Sequence, residues 1–182
     1  MILQLKNVRL AFPNLWVPTA FEEGQEKKYS ATLLIPKNDP QHKMIQDAIK
    51  EVAQAEWKNK TDATLKSIEN IPQKYCYMDG DGKALDGYAG HFALSAKSKK
   101  RVPVKDRDTS ALSEADEKPY AGCYVNASVE IWAQGGKHAG MRCQLRGIQF
   151  VRDGDQFTAG SVANDDEFED LGNGADAEDD LA

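Results

Sequence analysis

Two consecutive segments in the last third of the chain constrain its fold more than any other feature. Residues 122–134 and 141–152 both alternate apolar and polar side chains, which is the period of a half-buried β-strand. Between them, residues 135–140 (GGKHAG) have the glycine content of a hairpin tip. Gly147 interrupts the second segment and predicts a β-bulge that returns Phe150 to the apolar face. The sequence therefore predicts a long antiparallel hairpin.

Three further segments have the pattern of strands. Residues 2–12, 27–35 and 88–98 alternate in the same way, although the first changes phase near Asn7. A change of phase within one strand predicts a bulge at that point. Pro13 and Pro18 predict that residues 13–18 leave the strand and form a loop, which contains one aromatic residue, Trp16.

One amphipathic helix is predicted after the second strand. Asp39 is a good N-cap, and Pro40 suits the first helical position. The apolar residues of 44–57 follow a period of 3.6 and predict a helix packed on a sheet. Residues 59–87 are turn-rich. The order of elements predicts a mainly β fold, an OB-like antiparallel barrel with one packed helix.

The charge is divided unevenly along the chain. The formal net charge is -6, from 29 acidic and 23 basic residues. Nine of the acids lie in the last 18 residues, which contain no Lys or Arg, so the rest of the chain carries about +3. We predict a domain at residues 1–157 and a disordered linker and acidic tail at 158–182. The tail acids are Asp165, Asp166, Glu167, Glu169, Asp170, Asp176, Glu178, Asp179 and Asp180.

Basic and aromatic residues in the predicted domain favour nucleic-acid binding. A dense basic cluster spans residues 97–107, and Tyr124 and Trp132 fall on the polar face of their strand. Unpaired bases stack on such rings while Lys and Arg contact phosphates. Arg142 and Arg146 of the second hairpin strand are added to this set, with Trp16 and Tyr77 as weaker aromatic candidates. The full set of candidate DNA contacts is Trp16, Tyr77, Lys97, Lys99, Lys100, Arg101, Lys105, Arg107, Tyr124, Trp132, Arg142 and Arg146.

Each of these features has an alternative interpretation. The two rings could pack under a loop or the tail, the basic run could be an ordinary solvated loop, and the acidic tail could serve only solubility. The three cysteines are predicted to be buried free thiols. A zinc site formed by Cys76, Cys123, Cys143 and His138 is the alternative, although their spacing does not support it.

Several classes of protein are disfavoured by the sequence. The chain lacks a Walker loop, a nucleophile elbow and the His-Glu-x-x-His motif, so we predict neither an enzyme nor a cofactor. No apolar run is long enough to span a bilayer, and the N-terminus does not resemble a secretory signal. We therefore expect a protein of the cytoplasm, of the host cell if a phage encodes it, and a homo-oligomer is compatible with the sequence.

Long motifs resemble a family of bacteriophage single-stranded DNA-binding proteins. They are residues 120–129 (YAGCYVNASV), 131–134 (IWAQ), 147–154 (GIQFVRDG), 9–16 (RLAFPNLW) and 28–37 (KYSATLLIPK). The resemblance implies an OB-fold, sequence-tolerant binding of single strands and a role in phage replication, recombination or repair. It also implies an acidic tail that contacts replication proteins and screens the DNA groove.

We therefore predict a single-stranded DNA-binding protein whose acidic tail modulates binding and recruits replication or recombination proteins. The leading alternative is a protein-interaction or DNA-mimic module that acts through its tail. A metal-dependent nuclease is a third hypothesis.

Overall fold

The computed structural model describes residues 1–157 and residue 172. The nine acidic residues predicted to form the tail lie outside the described residues. In the described part, the elements are β1 (Ile2–Thr19), β2 (Lys28–Pro36), α1 (Pro40–Trp57), α2 (Thr61–Ile68), β3 (Tyr77–Asp79), β4 (His91–Ser98), β5 (Val104–Lys105), β6 (Tyr124–Gln134) and β7 (Gly140–Arg152).

The sheet closes on itself. Its strand order is β3-β4-β2-β1-β6-β7-β5, and an additional pairing joins β4 to β7. Strands β1, β2, β4, β7 and β6 therefore form a closed five-stranded barrel. Its neighbours are antiparallel except at the closing contact, where Lys97 of β4 lies beside Gln144 of β7 in parallel register. This is the predicted OB-like architecture, a small Greek-key barrel.

The predicted hairpin forms the longest ladder of the barrel. Val125, Val129 and Ile131 of β6 point inward and are fully buried, as their alternation requires. The bulge at Gly147 is confirmed, since Ser128 pairs with Gly147 whereas Val129 already pairs with Leu145. The extra residue shifts the phase of β7 and keeps its apolar side chains in the core.

Strand β1 is longer than predicted. The phase change at Asn7 is confirmed as a register shift between Leu5 and Val8, and Asn7 has a positive φ of 51°. The prediction of a loop at residues 13–18 is wrong, because β1 continues to Thr19. The strand has a second irregularity between Ala11 and Asn14, where Phe12 has a positive φ of 46°. Pro13 lies within this irregularity and has no partner in β2, so its missing N–H does not cost a hydrogen bond between the strands.

Helix α1 begins as predicted. The Asp39 side chain accepts a hydrogen bond from the Gln41 backbone N–H at 2.9 Å, and Pro40 opens the helix. Ile45, Ala48, Ile49 and Ala53 are buried, and the helix packs on β6 and β2. Helix α2 was not predicted, because only Thr61 and Ile68 are buried in its eight residues, which is too short a pattern to show a period. No helix within residues 1–157 is long and apolar enough to cross a membrane.

Candidate nucleic-acid interface

An open groove of about 820 Å³ lies where β4 meets β7. The parallel contact between these strands brings the outward side chains of β4 next to those of β7. The segment before β3 forms another wall, since Cys76 donates its backbone N–H to the Met141 carbonyl at 3.0 Å. The cationic and aromatic side chains that line the groove are Lys28, Lys97, Lys99, Lys100, Arg142, Tyr75 and Trp132.

Positive charges are concentrated around Lys97. Desolvation lowers the pKa of Lys97 below its usual value, and the charges of Lys28 and Arg142 lower it further. In the described part of the chain, the carboxylate that lines this groove belongs to Glu26, whose Oε2 lies 3.5 Å from Lys99 Nζ. An anion placed between these cations would relieve their mutual repulsion. The electrostatics of the groove therefore favour phosphate.

Trp132 stands at the rim of the groove with 42% of its surface exposed. It pairs directly with Arg142 across the β6–β7 ladder, so ring and guanidinium lie on the same face. Arg142 Nη1 donates a hydrogen bond to the Gln73 carbonyl, whereas its buried Nε has no partner among the described residues. Gly140 leaves room for this side chain, because a Cβ there would lie 2.9 Å from Arg142 Nε. The pair combines an exposed aromatic surface with a guanidinium whose positive charge lies in the groove.

Five of the predicted residues thus meet in this groove: Lys97, Lys99, Lys100, Trp132 and Arg142. The sequence analysis missed Lys28 and Tyr75, because only the barrel closure and the register of β2 reveal them. A smaller cavity of about 390 Å³ adjoins the groove and shares Glu26, Lys28 and Lys97 with it. Phe21, 88% exposed, lines that cavity from the loop after β1.

Tyr124 does not lie in the groove, contrary to the shared surface that alternation predicted. It pairs with Arg152 at the opposite end of β6, eight residues from Trp132, or about 26 Å along the strand. The Arg152 guanidinium carbon is 3.6 Å from the centre of the Tyr124 ring, and Gly154 lies against the ring edge. The ring is half-buried and in contact with a cation and a following segment.

Tyr77 is also unavailable as a stacking surface. It is only 3% exposed, its ring stacks on Phe92 at 4.9 Å, and its hydroxyl lies 2.7 Å from His42 Nδ1 of α1. Burial raises the pKa of its phenol. The short strand β3 buries this ring between the sheet and the helix, which its local sequence does not reveal.

The remaining candidates lie outside the groove. Trp16 is half-buried, with the Arg101 guanidinium 5.0 Å from its ring centre. Arg107 donates to the Val151 carbonyl at 2.7 Å, and Arg146 donates to Ser128 Oγ at 3.2 Å. Lys105 belongs to β5 and pairs with Gln149. The structure does not bring these candidates together with the groove residues.

The cysteines are buried and unpaired, as predicted. Burial raises the pKa of the Cys76 thiol to about 12 and that of Cys123 to about 11. Within the described residues, no group of three or more His, Cys, Asp or Glu is arranged to hold a metal ion.

A closed five-stranded barrel with a cationic, aromatic groove on its outer surface has the architecture of OB-fold oligonucleotide-binding domains. The comparison with known families is more specific. The family described as the Enterobacter phage Enc34 ssDNA-binding protein matches residues 1–182, and the chain belongs to that family. The predicted family is therefore confirmed, and its members are binding proteins rather than enzymes.

Relatives and solved structures agree with this assignment. The chain is 47% identical over 173 residues, 94% of each protein, to p50 of Acyrthosiphon pisum secondary endosymbiont phage 1. The chain is also similar to the single-stranded DNA-binding protein of bacteriophage Enc34, whose structure was solved in complex with ssDNA. The TM-score is 0.72 at 26% sequence identity, and the match covers 86% of this chain and 89% of the Enc34 protein.

A more distant structure shares the fold alone. Gp2.5, a single-stranded DNA-binding protein of bacteriophage T7, has a TM-score of 0.54 at 14% identity and covers 90% of this chain and 98% of its own. The OB-like fold predicted from the sequence is confirmed by these likenesses.

Proposed function

We propose that this chain binds single-stranded DNA without sequence preference in the groove between β4 and β7, and that it does so during phage DNA replication, recombination or repair in the host cytoplasm. The observation that carries the proposal is the pairing of the exposed Trp132 with Arg142 inside a groove lined by lysines. The Enc34 relative that was solved with ssDNA supports the same ligand.

The mechanism follows from the chemistry of the groove. Trp132 offers an exposed ring face to unpaired bases, and half-buried Tyr75 lines the groove beside it. Stacking tolerates any base because every base has a π-face. Lys28, Lys97 and Arg142 contact phosphates, which carry no sequence information. Duplex DNA turns its bases inward, so it can use the cations but not the rings. The groove therefore prefers single strands.

Titration with oligo-dT at several salt concentrations tests this proposal. Tryptophan fluorescence should be quenched on binding, because Trp132 is exposed in the groove. If about four phosphates are neutralised, log affinity should fall with log salt with a slope near -3. A duplex of matched length is the control and should bind more weakly. Absence of both quenching and salt dependence would contradict the proposal and favour a protein-interaction module.

We further propose that the acidic residues of 165–182 compete with DNA for the groove and recruit replication or recombination proteins. Nine carboxylates on the same chain as five groove cations raise the local concentration of competing negative charge. Deleting residues 165–182 should tighten oligo-dT binding at low salt, and the gain should shrink as salt screens both interactions. Unchanged or weaker binding after the deletion would reject competition and leave recruitment alone.

A further inference from the structure

The groove between β4 and β7 continues into the smaller cavity of about 390 Å³ beside it. Lys28 and Lys97 line both spaces, so cations connect the first with the second. The walls of the smaller cavity also include Asn14 of β1 and Ser30 of β2, so it lies over the β1–β2 ladder. A ligand that fills the groove can therefore extend into this cavity while it remains in contact with the lysines.

The register of the sheet gives the direction of this path. Trp132 pairs with Arg142 between β6 and β7, and the closing contact of the barrel joins β7 to β4. Lys97 of β4 pairs with Ser30 of β2, and Ser30 pairs with Asn14 of β1. The path therefore crosses all five strands of the barrel, and at about 4.8 Å per strand it is about 19 Å long, measured along the sheet.

An exposed aromatic ring lies at the end of this path that is far from Trp132. Phe21 belongs to residues 20–27, called the β1–β2 loop here, and at 88% it is the most exposed large apolar residue in the described part of the chain. A single exposed apolar residue is normal on a protein surface. Phe21, however, lines a cavity that it shares with two lysines. Trp132 has the same surroundings at the other end, an exposed ring beside cations.

A tight turn directly after Phe21 shapes the β1–β2 loop. The Gln25 backbone N–H donates to the Glu22 carbonyl at 3.3 Å, and Gly24 has a φ of 85°, which glycine adopts without steric cost. Beyond the turn, Glu26 Oε2 lies 3.5 Å from Lys99 Nζ in the groove. These contacts connect the loop to the groove and leave the Phe21 ring uncovered.

The charges around the ring favour a base over a phosphate as its ligand. Glu22 and Glu23 follow Phe21 in the chain, and the linings of the two cavities do not include them. These carboxylates repel phosphate from the loop, whereas Lys28 and Lys97 attract it to the path between the cavities. A strand on this path would place its phosphates along the lysines and a base against the ring.

We propose that Phe21 forms a second stacking site for a base of single-stranded DNA, and that one strand crosses the barrel from Trp132 to Phe21 over the lysines that the two cavities share. This inference rests on the DNA binding proposed above and adds a second site to it. It assigns a role to a ring that the packing of the barrel does not require.

The experiment compares the natural chain with Phe21→Ala on an oligo-dT of about 16 nucleotides, the upper end of the range that one OB fold covers. Phe21→Ala should weaken binding at least about fivefold, because one stacking surface is lost. The slope of log affinity against log salt should not change, since no cation is removed. An abasic strand of the same length keeps the phosphates but has no bases, so it should bind both proteins equally.

Three further variants complete the comparison. Phe21→Trp retains a stacking surface and should keep the natural affinity, whereas Phe21→Leu retains only apolar character and should behave like Phe21→Ala. Phe12→Ala is the matched control, because Phe12 is also an exposed phenylalanine, at 52%, but lines neither cavity. Its removal should leave the affinity unchanged. Circular dichroism would show that each variant is folded.

Several outcomes would overturn the inference. An unchanged affinity of Phe21→Ala for oligo-dT would do so, and would leave the ring available for contact with a protein. An equal loss on the abasic strand, or full affinity in Phe21→Leu, would show that the ring acts without stacking.

The same titrations separate this inference from the proposal on which it rests. If Trp132→Ala weakens binding but Phe21→Ala does not, the second site alone is wrong. If the natural chain does not bind oligo-dT, the DNA-binding proposal is wrong and the second site fails with it.

Discussion

Trp132 and Tyr124 show how far alternation predicts the role of a single residue. Both fall on the outward parity of β6, and both do point away from the barrel interior. Trp132 is paired with Arg142 at a groove, whereas Tyr124 lies between Arg152 and Gly154. Alternation determines which side of the sheet a ring occupies. The residues that surround the ring on that side come from segments distant in the sequence, so alternation does not predict them.

Replacing Trp132 by Ala should weaken oligo-dT binding by about 1–3 kcal/mol, because one stacking surface is lost. The free energy of unfolding should change less than for a core ring, since 42% of the residue's surface is already exposed. Binding titrations and urea unfolding of the same variant measure the two effects.

Tyr124→Ala is the matched control for this prediction. It removes a ring of similar size from the same face of the same strand, but outside the groove, so it should destabilise the fold while leaving the affinity of the folded protein near that of the natural chain. If Tyr124→Ala weakens binding as much as Trp132→Ala does, the groove is not where bases stack.

At the scale of elements, the best predictions came from segments with both a clear period and a clear boundary. The β6–β7 hairpin, its bulge at Gly147 and the start of α1 at Asp39 follow from side-chain parity, glycine and capping chemistry. These are local effects that act within a few residues. The sequence could therefore reveal them without knowledge of the fold.

The elements that were missed depend on pairing. Strand β1 continues past Pro13 because β2 pairs with it on both sides of the irregularity, at Ala11 and again at Asn14. Strand β3 is only three residues long and exists because β4 provides its partner. A strand that is stabilised by a distant neighbour has little local signal of its own.

At the scale of the whole molecule, buried acids in their neutral form link stability to alkaline pH. Burial raises the pKa of Cys76 and Tyr75 to about 12, raises that of Cys123 to about 11, and holds that of Cys143 well above its usual value. The unfolded chain releases thiol protons near pH 9, whereas the folded chain retains them. Proton release therefore stabilises the unfolded state relative to the folded state as the pH rises.

The contribution of these groups to the free energy of unfolding should thus be constant below about pH 9 and fall between pH 9 and 12, by up to about 1.4 kcal/mol per pH unit for each such group. Urea unfolding at pH 7, 9 and 10.5 measures this decline. Cys123→Ala should make it shallower, which separates the thiol effect from general charge repulsion. A free energy of unfolding that does not fall between pH 9 and 10.5 would show that these groups have their ordinary pKa values in the folded protein.

The secondary-structure class, the family, the burial of the cysteines and the separation of acidic from basic residues could all be predicted from the sequence. Those properties depend on side-chain period, motif and composition, all of which are local or additive. Which cations and rings share a groove depends instead on how the strands pair in the folded barrel. Lys28, Lys97, Arg142 and Trp132 come from four strands, and they meet because the barrel closes between β4 and β7. That closure is a pairing of segments about 47 residues apart, for which no single segment has a signal.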